Sequence, residues 1–194
     1  DLSLKYTAHY NEVKELLFEG SSDVLNAARK KAFQDFVLQG IPSRKNENYK
    51  YTNLQPYFSP EFSFVHQKVN KNVNGKKVFR CDVPELDTHL NTLTNGWYNE
   101  NKTNNLPEGV ILGSLEKIAN EKPELIEKHY GQLAKTGEDA MVALNTAFAK
   151  DGYFLYVPKN VVIAEPIQLI NFSDAEKNTF ITQRNLIIVE PGAE

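Results

Sequence analysis

The apolar positions of the first forty residues repeat with a helical period. Tyr6, Tyr10, Val13, Leu16 and Leu17 share one face over 6–19 and stop at Gly20, a residue suited to a left-handed cap. Ser22 and Asp23 then offer a cap and a first-turn acid, and Leu25, Ala28, Ala32, Phe33, Phe36 and Val37 follow one face to Gly40 and Pro42. Two amphipathic helices are predicted. From 43 to 57 the periodicity gives way to a mixture of charge and tyrosine that predicts a loop or short helical turn.

Beyond Tyr57 the pattern becomes shorter and more strand-like. Phe62, Phe64 and Val65 suggest one short strand, Lys76–Arg80 another, and Asn95-Gly96 a turn before Trp97-Tyr98. Val110, Ile111 and Leu112 read as a buried strand, followed by two short helices through Leu115, Ile118, Leu125, Ile126 and Tyr130, broken at Pro123. A helix is predicted over 139–149, with Ala140, Ala143, Leu144, Ala147 and Phe148 on its apolar side, and Asp151-Gly152 turns the chain. Strands alone then follow, at Tyr153–Val157, Val161–Ile163, Ile167–Phe172, Phe180–Thr182 and Leu186–Val189.

Short strands with polar corners and no intervening helix fit a sandwich, or the first coils of a solenoid whose turns stack in parallel. Solenoid coils bury their faces only by stacking, so these strands are expected to open something longer and the chain to be a fragment. The expected organisation is a helical region over 1–57, a small α/β region over 58–138, and a connecting helix leading into the strand core over 139–194.

Composition narrows the classes. With 194 residues, 41% hydrophobic and 24% charged, and eleven Phe and nine Tyr, the chain has ample material for a core. A formal net charge of −3 gives no global field to hold a polyanion, so nucleic acid is not the expected partner. No stretch approaches the roughly 20 apolar residues that span a bilayer. The start, Asp1-Leu2-Ser3-Leu4-Lys5, lacks a basic segment followed by an apolar run. A single cysteine, Cys81, excludes an internal disulfide and fits a reducing compartment, so the expected location is cytoplasmic. The sequons at Asn101 and Asn171 are discounted on the same ground.

Candidate chemistry is sparse. His9, His66, His89 and His129 show no i,i+2 or i,i+4 pairing, so surface or helix-face roles are expected and only folding could bring two together. Cys81, beside Arg80, has the composition of a small buried hydrophobe more than of an activated thiolate. There is no G-x-x-x-x-G-K-[ST], no G-x-G-x-x-G and no G-x-S-x-G. Glu138/Asp139 and Asp174/Glu176 fit caps and solvated turns. Arg44, Lys45, Glu47, Tyr49, Lys50 and Tyr51 form a mixed-sign aromatic patch suited first to packing, second to protein docking and third to nucleic acid.

Two segments exceed generic pattern. Gly40-Ile41-Pro42-Ser43-Arg44-Lys45-Asn46-Glu47-Asn48-Tyr49-Lys50-Tyr51-Thr52 resembles the G-[LI]-P-[TS]-R-[RK]-x-E-x-W-[RK]-Y-T signature of SufD-type proteins, departing at Tyr49, where tryptophan is usual. Leu144-Asn145-Thr146-Ala147-Phe148-Ala149-Lys150-Asp151-Gly152, with Leu155, Val157, Pro158, Pro166, Ile167 and Leu169, resembles the LN-x-AF-x-x-DG entry of the SufB/SufD family into its core. Asn95-Gly96, Leu106–Val110, Ser114-Leu115 and Arg184–Val189 fall in the family's order between and after them, so the resemblance runs over residues 20–194.

What the resemblance implies is an α+β N-terminal region leading into the first coils of a right-handed parallel β-helix, truncated within that β-helix. It implies a non-catalytic assembly subunit of iron–sulfur cluster biogenesis, partnered by a SufB-like subunit and a SufC-like ATPase. A homodimer through the β-helix is a further expectation, with no membrane or nucleic-acid partner. The cluster is assembled transiently by the full complex. No catalytic, cofactor-binding or metal-ligating residue of the family carries over to positions present here, and Cys81 stands alone where ligation needs grouped thiolates or imidazoles.

Two other classes compete. A β-helix carbohydrate-active enzyme would need acids clustered on one strand face, and 153–189 offers only Glu165, Asp174 and Glu176, none within a predicted strand. A single-strand nucleic-acid binder would use Arg44, Lys45, Tyr49, Lys50 and Tyr51, with salt-dependent affinity.

Overall fold

The computed structural model describes residues 2–68, 87–100 and 105–194. The strand expected at Lys76–Arg80, Cys81 and the sequon at Asn101 lie outside the described residues. Helix α1 spans Leu2–Phe18, beginning four residues before the predicted start. Helix α2 spans Asp23–Gln39 between the predicted caps: Ser22 Oγ accepts from the Leu25 N–H at 3.3 Å, and Gly40, at φ +65°, donates its N–H to Phe36 O. The tyrosine-rich stretch forms a 3-10 turn at Glu47–Tyr49 and a single helical turn, α3, at Gln55–Phe58. Helices α4 (Leu115–Glu121) and α5 (Pro123–Glu127) break at Pro123 as predicted, and α6 runs Ala140–Phe148.

Strands β1 (Ser63–Phe64), β2 (His89–Thr94), β3 (Trp97–Asn99), β4 (Ile111–Ser114), β5 (Tyr153–Val157), β6 (Ile167–Phe172), β7 (Thr179–Phe180) and β8 (Leu186–Val189) form three small sheets, ordered β1-β7, β3-β2-β6 and β4-β5-β8. β2 and β3 are an antiparallel hairpin whose turn residues, Asn95 at φ +51° and Gly96 at φ +84°, match the left-handed pair that a two-residue hairpin turn requires. β2 pairs in parallel with β6 from His89↔Ile167 to Thr94↔Phe172. Leaving β5, the chain visits each sheet in turn through β6 and β7, then returns as β8 in parallel with β5, Phe154 opposite Leu186 and Val157 opposite Val189. Among the described residues no sheet closes on itself.

Three hydrophobic clusters join these parts. Tyr6, Tyr10 and Leu17 of α1, Phe36 of α2, and Leu144 and Phe148 of α6 form the first, with Phe58, Phe64 and Phe180 against it. Leu25, the α4 residues Leu115 and Ile118, and Ile126 cover Phe154 and Ile188 on one face of the β4-β5-β8 sheet. On its other face, Tyr153, Leu155 and Val157 meet Leu93 and Tyr98 of the hairpin. The alternation along β5 therefore serves two cores.

Two predicted strands differ. Val161–Ile163 does not extend as a strand: Asn160 at φ +60° lies in a corner closed by the Val161 N–H donating to Pro158 O, while Glu194 donates to Val161 O and accepts from the Ile163 N–H. The strand predicted at Phe180–Thr182 forms at Thr179–Phe180, where β1 supplies a partner, and Thr182 instead lies against the Gly96 turn.

Among the glycines of the described residues Gly152 is the most closely approached, because a Cβ there would sit 1.8 Å from the Arg184 carbonyl oxygen. Gly152→Ala is expected to cost at least about 3 kcal/mol in urea unfolding, since backbone rather than a flexible side chain must move. Gly113→Ala on β4, with nothing within 4 Å, should stay within about 0.5 kcal/mol of the parent.

Candidate functional site

The residues that leave α6 tie the helical layer to the sheets. α6 stops at Phe148, and Ala149 is extended, so the next side chains alternate in direction. Lys150, with only 9% of its side chain exposed, sends its ammonium to the end of α1, where it donates to Leu17 O at 3.0 Å and to Glu19 O, and pairs with Glu116 Oε1 at 3.1 Å. A cation there meets the negative end of the helix and its unpaired carbonyls. Asp151 points the opposite way: its carboxylate accepts from Tyr98 N–H at 3.0 Å, Ser114 Oγ at 2.8 Å and Glu116 N–H at 3.1 Å.

Arg29 of α2 completes the junction. Buried beside it, Arg29 donates Nε to Ala149 O at 2.8 Å, Nη2 to Lys150 O at 3.1 Å, and Nη1 to Ser21 Oγ and Asn26 Oδ1, each at 2.8 Å. Burial pushes the Glu116 carboxyl above its ordinary range, and Lys150 pulls it partly back. The sequence reading missed this network, although its signal was present: Arg29 sits between Leu25, Ala32 and Phe36 on the apolar stripe of α2.

The 40–52 segment also serves packing. Ser3 Oγ accepts the Ile41 N–H at 2.9 Å and would lie 2.9 Å from a Cβ at Gly40, so α1 begins against the end of α2. Tyr49 donates its hydroxyl to Asp139 Oδ2 at 2.7 Å, while Asp139 Oδ1 caps α6 by accepting the N–H groups of Met141 at 2.7 Å and Val142 at 3.1 Å. Burial alone would raise the Asp139 carboxyl, but these three donors hold it below its ordinary value. Lys50 pairs with Glu47 and lies over the exposed Tyr51 ring. Exposed Arg44 and Lys45 line a cleft of about 530 Å3 with Leu2, Ile41, Asn53 and Gln55.

Folding does bring two histidines together. His9 on α1 and His66 beyond β1 face each other with Nε2 atoms 3.2 Å apart. Burial holds His66 at about 4 and lowers His9, against the pull of Glu12, so both rings are neutral near pH 7. His89 pairs with Glu165 at 3.0 Å, separate from that pair. Asp174 exchanges backbone hydrogen bonds with the Asn95 side chain across the hairpin turn. Of the acids weighed for carbohydrate chemistry, Glu165 pairs with His89 and Asp174 lies with its backbone in the hairpin corner.

The sheet borders are the broadest feature. Among the described residues β6, β7 and β8 each lie at one edge of their sheet. On β8, Ile188 points inward, while Ile187 and Val189 remain 58% and 55% exposed. Among the described residues no helix is long and apolar enough to cross a membrane.

Comparison with known proteins supplies the context. Residues 1–169 match the family described as SufBD protein N-terminal region. An iron–sulfur cluster assembly SufBD family protein of Pyropia yezoensis is 35% identical over 165 residues, covering 84% of this chain and 31% of the relative. A chloroplastic protein of the same description from Arabidopsis thaliana is 35% identical over 167 residues, covering 83% of this chain and 27% of the relative. One from Synechocystis is 24% identical over 179 residues, covering 91% and 36%. The chain thus spans between 27% and 36% of the length of these relatives.

Lys150→Met leaves the Glu116 carboxylate partly buried without its cation and should cost about 3–5 kcal/mol at pH 7 by urea unfolding. The double variant Lys150→Met/Glu116→Gln should recover much of that loss. Because the folded carboxyl is raised, its charge is disfavoured above the folded pKa and relieved below it. The single variant's deficit should therefore shrink between pH 7 and pH 5, and a deficit independent of pH would mean that Lys150 acts only through the α1 carbonyls.

Proposed function

The chain belongs to the SufBD family, and on that premise we propose that it is a non-catalytic scaffold subunit of iron–sulfur cluster assembly, of the SufD type, working with a SufB-like subunit and a SufC-like ATPase. The observation that carries the reading is the path from β5 to β8. β5, β6 and β7 each lie in a different sheet, and β8 then returns in parallel on β5, which is how one coil of a parallel β-helix is laid down. The borders left by β6, β7 and β8 present backbone N–H and C=O groups for a further coil, and a β-helix so extended offers its edge to a partner of the same architecture. The likeness of 40–52 to the SufD-type signature supports SufD over SufB.

In this reading the cluster is cargo of the complete assembly, ATP hydrolysis belongs to the SufC-like partner, and the subunit works in the cytoplasm or its organellar equivalent. Residues 2–58 brace one end of the strand core. That role suits the first cluster, where α1, α2 and α6 back onto Phe64 and Phe180.

The test is anaerobic co-purification of the full-length protein with its SufB-like and SufC-like partners, followed by iron and acid-labile sulfide analysis. A stable complex is expected, with cluster loading that falls when this subunit is omitted. Failure to associate, or full loading without the subunit, would remove the scaffold reading.

A further inference from the structure

The scaffold reading gives no task to the histidine pair. His9 and His66 lie 57 residues apart in sequence, yet their Nε2 atoms face each other at 3.2 Å, with ring planes 28° apart. The Glu12 carboxylate lies 3.5 Å from His9 Nδ1, one turn along α1. A carboxylate in that position holds the ring proton on Nδ1 and leaves the Nε2 lone pair turned toward His66. Phe64 stacks on His9 with centroids 3.7 Å apart and lies within 6° of parallel to His66, while Phe148 runs parallel to His9 at 5.9 Å. These aromatic faces restrict rotation of both rings, the kind of support a preorganised site needs.

Two zinc–imidazole bonds of about 2.0–2.1 Å at a tetrahedral angle place their nitrogens roughly 3.3 Å apart. That is close to the separation here. We propose that His9 and His66 are the two protein ligands of a divalent transition-metal ion of the zinc class, with Glu12 as the outer carboxylate that orients His9. Imidazole pairs suit zinc, nickel and copper in preference to magnesium or calcium. Among the described residues no group of three His, Cys, Asp or Glu side chains could hold a metal ion, so these residues leave the remaining coordination positions open to water or an incoming ligand. Such a site is an open, exchangeable one rather than a closed structural one. His9 keeps 23% of its side chain exposed, so solvent reaches it. A bound ion would tie α1 to the segment that follows β1.

The test uses the metal-free full-length protein. Zinc binding is followed by calorimetry, and cobalt is titrated in parallel for its visible d–d absorption. The parent should bind one more equivalent of zinc than His9→Ala or His66→Ala, and the corresponding cobalt band should vanish in both. Glu12→Gln, at a largely exposed position, should weaken zinc about tenfold, the effect of losing an outer-shell carboxylate. His129→Gln should leave binding unchanged. Circular dichroism checks that each variant is folded, and His66→Gln provides a second, more conservative variant. Zinc should raise the melting temperature of the parent and not that of His66→Gln. Equal zinc and cobalt binding in the parent and the histidine variants, or no binding by the parent at about millimolar zinc, overturns the site and leaves a neutral imidazole hydrogen bond.

Discussion

The ammonium of Lys150 is the point at which the layers of this protein are joined. Removing a lysine from water costs several kcal/mol unless the surroundings replace its hydration. Here the replacement comes from two separate elements: carbonyls at the end of α1 and the Glu116 carboxylate at the start of α4. The constraint works in both directions. α1 cannot shift along its axis without stripping the cation, and α4 cannot turn without stranding Glu116. Because the backbone leaves α6 in an extended conformation, Asp151 faces the other way and collects N–H and O–H donors from β3, β4 and α4. Gly152 follows without a side chain, which lets the Arg184 carbonyl close over it. Three consecutive residues, one cationic, one anionic and one with no Cβ, thereby fix the helices, the hairpin and the β4-β5-β8 sheet in one register.

Local signals in the sequence carried as far as local physics does. The limits of α2 were readable because Ser22 and Gly40 act within one helical turn of themselves, and the hairpin because Asn95-Gly96 needs only its own backbone. β5, β6 and β8 were readable as apolar runs bounded by turns. β2 was not, since its Leu90 and Leu93 do not alternate, and its six residues are held by a parallel partner far along the chain, with Asn91, Thr92 and Thr94 buried between layers. Val161–Ile163 shows the converse: β-branched residues without a neighbouring strand make a corner, because strand propensity describes fit to a sheet that must exist. The same limit hid the sites. Nothing in the spacing of Lys150 and Glu116, or of His9 and His66, reveals that each pair meets; the one overlooked signal was Arg29, a charge on the apolar stripe of α2.

The segments by which the family resemblance was recognised turn out to be joints. Gly40 admits Ser3, Asp151 and Gly152 bind the sheets, and Tyr49 bonds the carboxylate that caps α6. The departure at Tyr49 from the usual tryptophan is intelligible in these terms. An indole N–H and a phenol O–H are both single donors at the rim of an aromatic body, so either can pack in a half-buried position and reach Asp139. A motif of this kind reports that a chain builds the same framework, and its residues need not touch any ligand. Arg44 and Lys45, by contrast, make no such joint among the described residues and stay at the rim of an exposed cleft.

The strand borders bear on why such a framework suits assembly. An isolated protein ordinarily blunts its sheet edges with charge, proline or bulges. β8 does none of these within Leu186–Val189: its outward side chains are Ile187 and Val189, and among the described residues its one neighbouring strand is β5. Among the described residues β6 and β7 lie at the edges of their sheets in the same way. Such edges offer unpaired backbone groups to a further strand, from continuing chain or from a second chain. The buried cation at Lys150 sits just before β5, so the strand on which β8 stacks in parallel starts from the joint between the helices and the sheets.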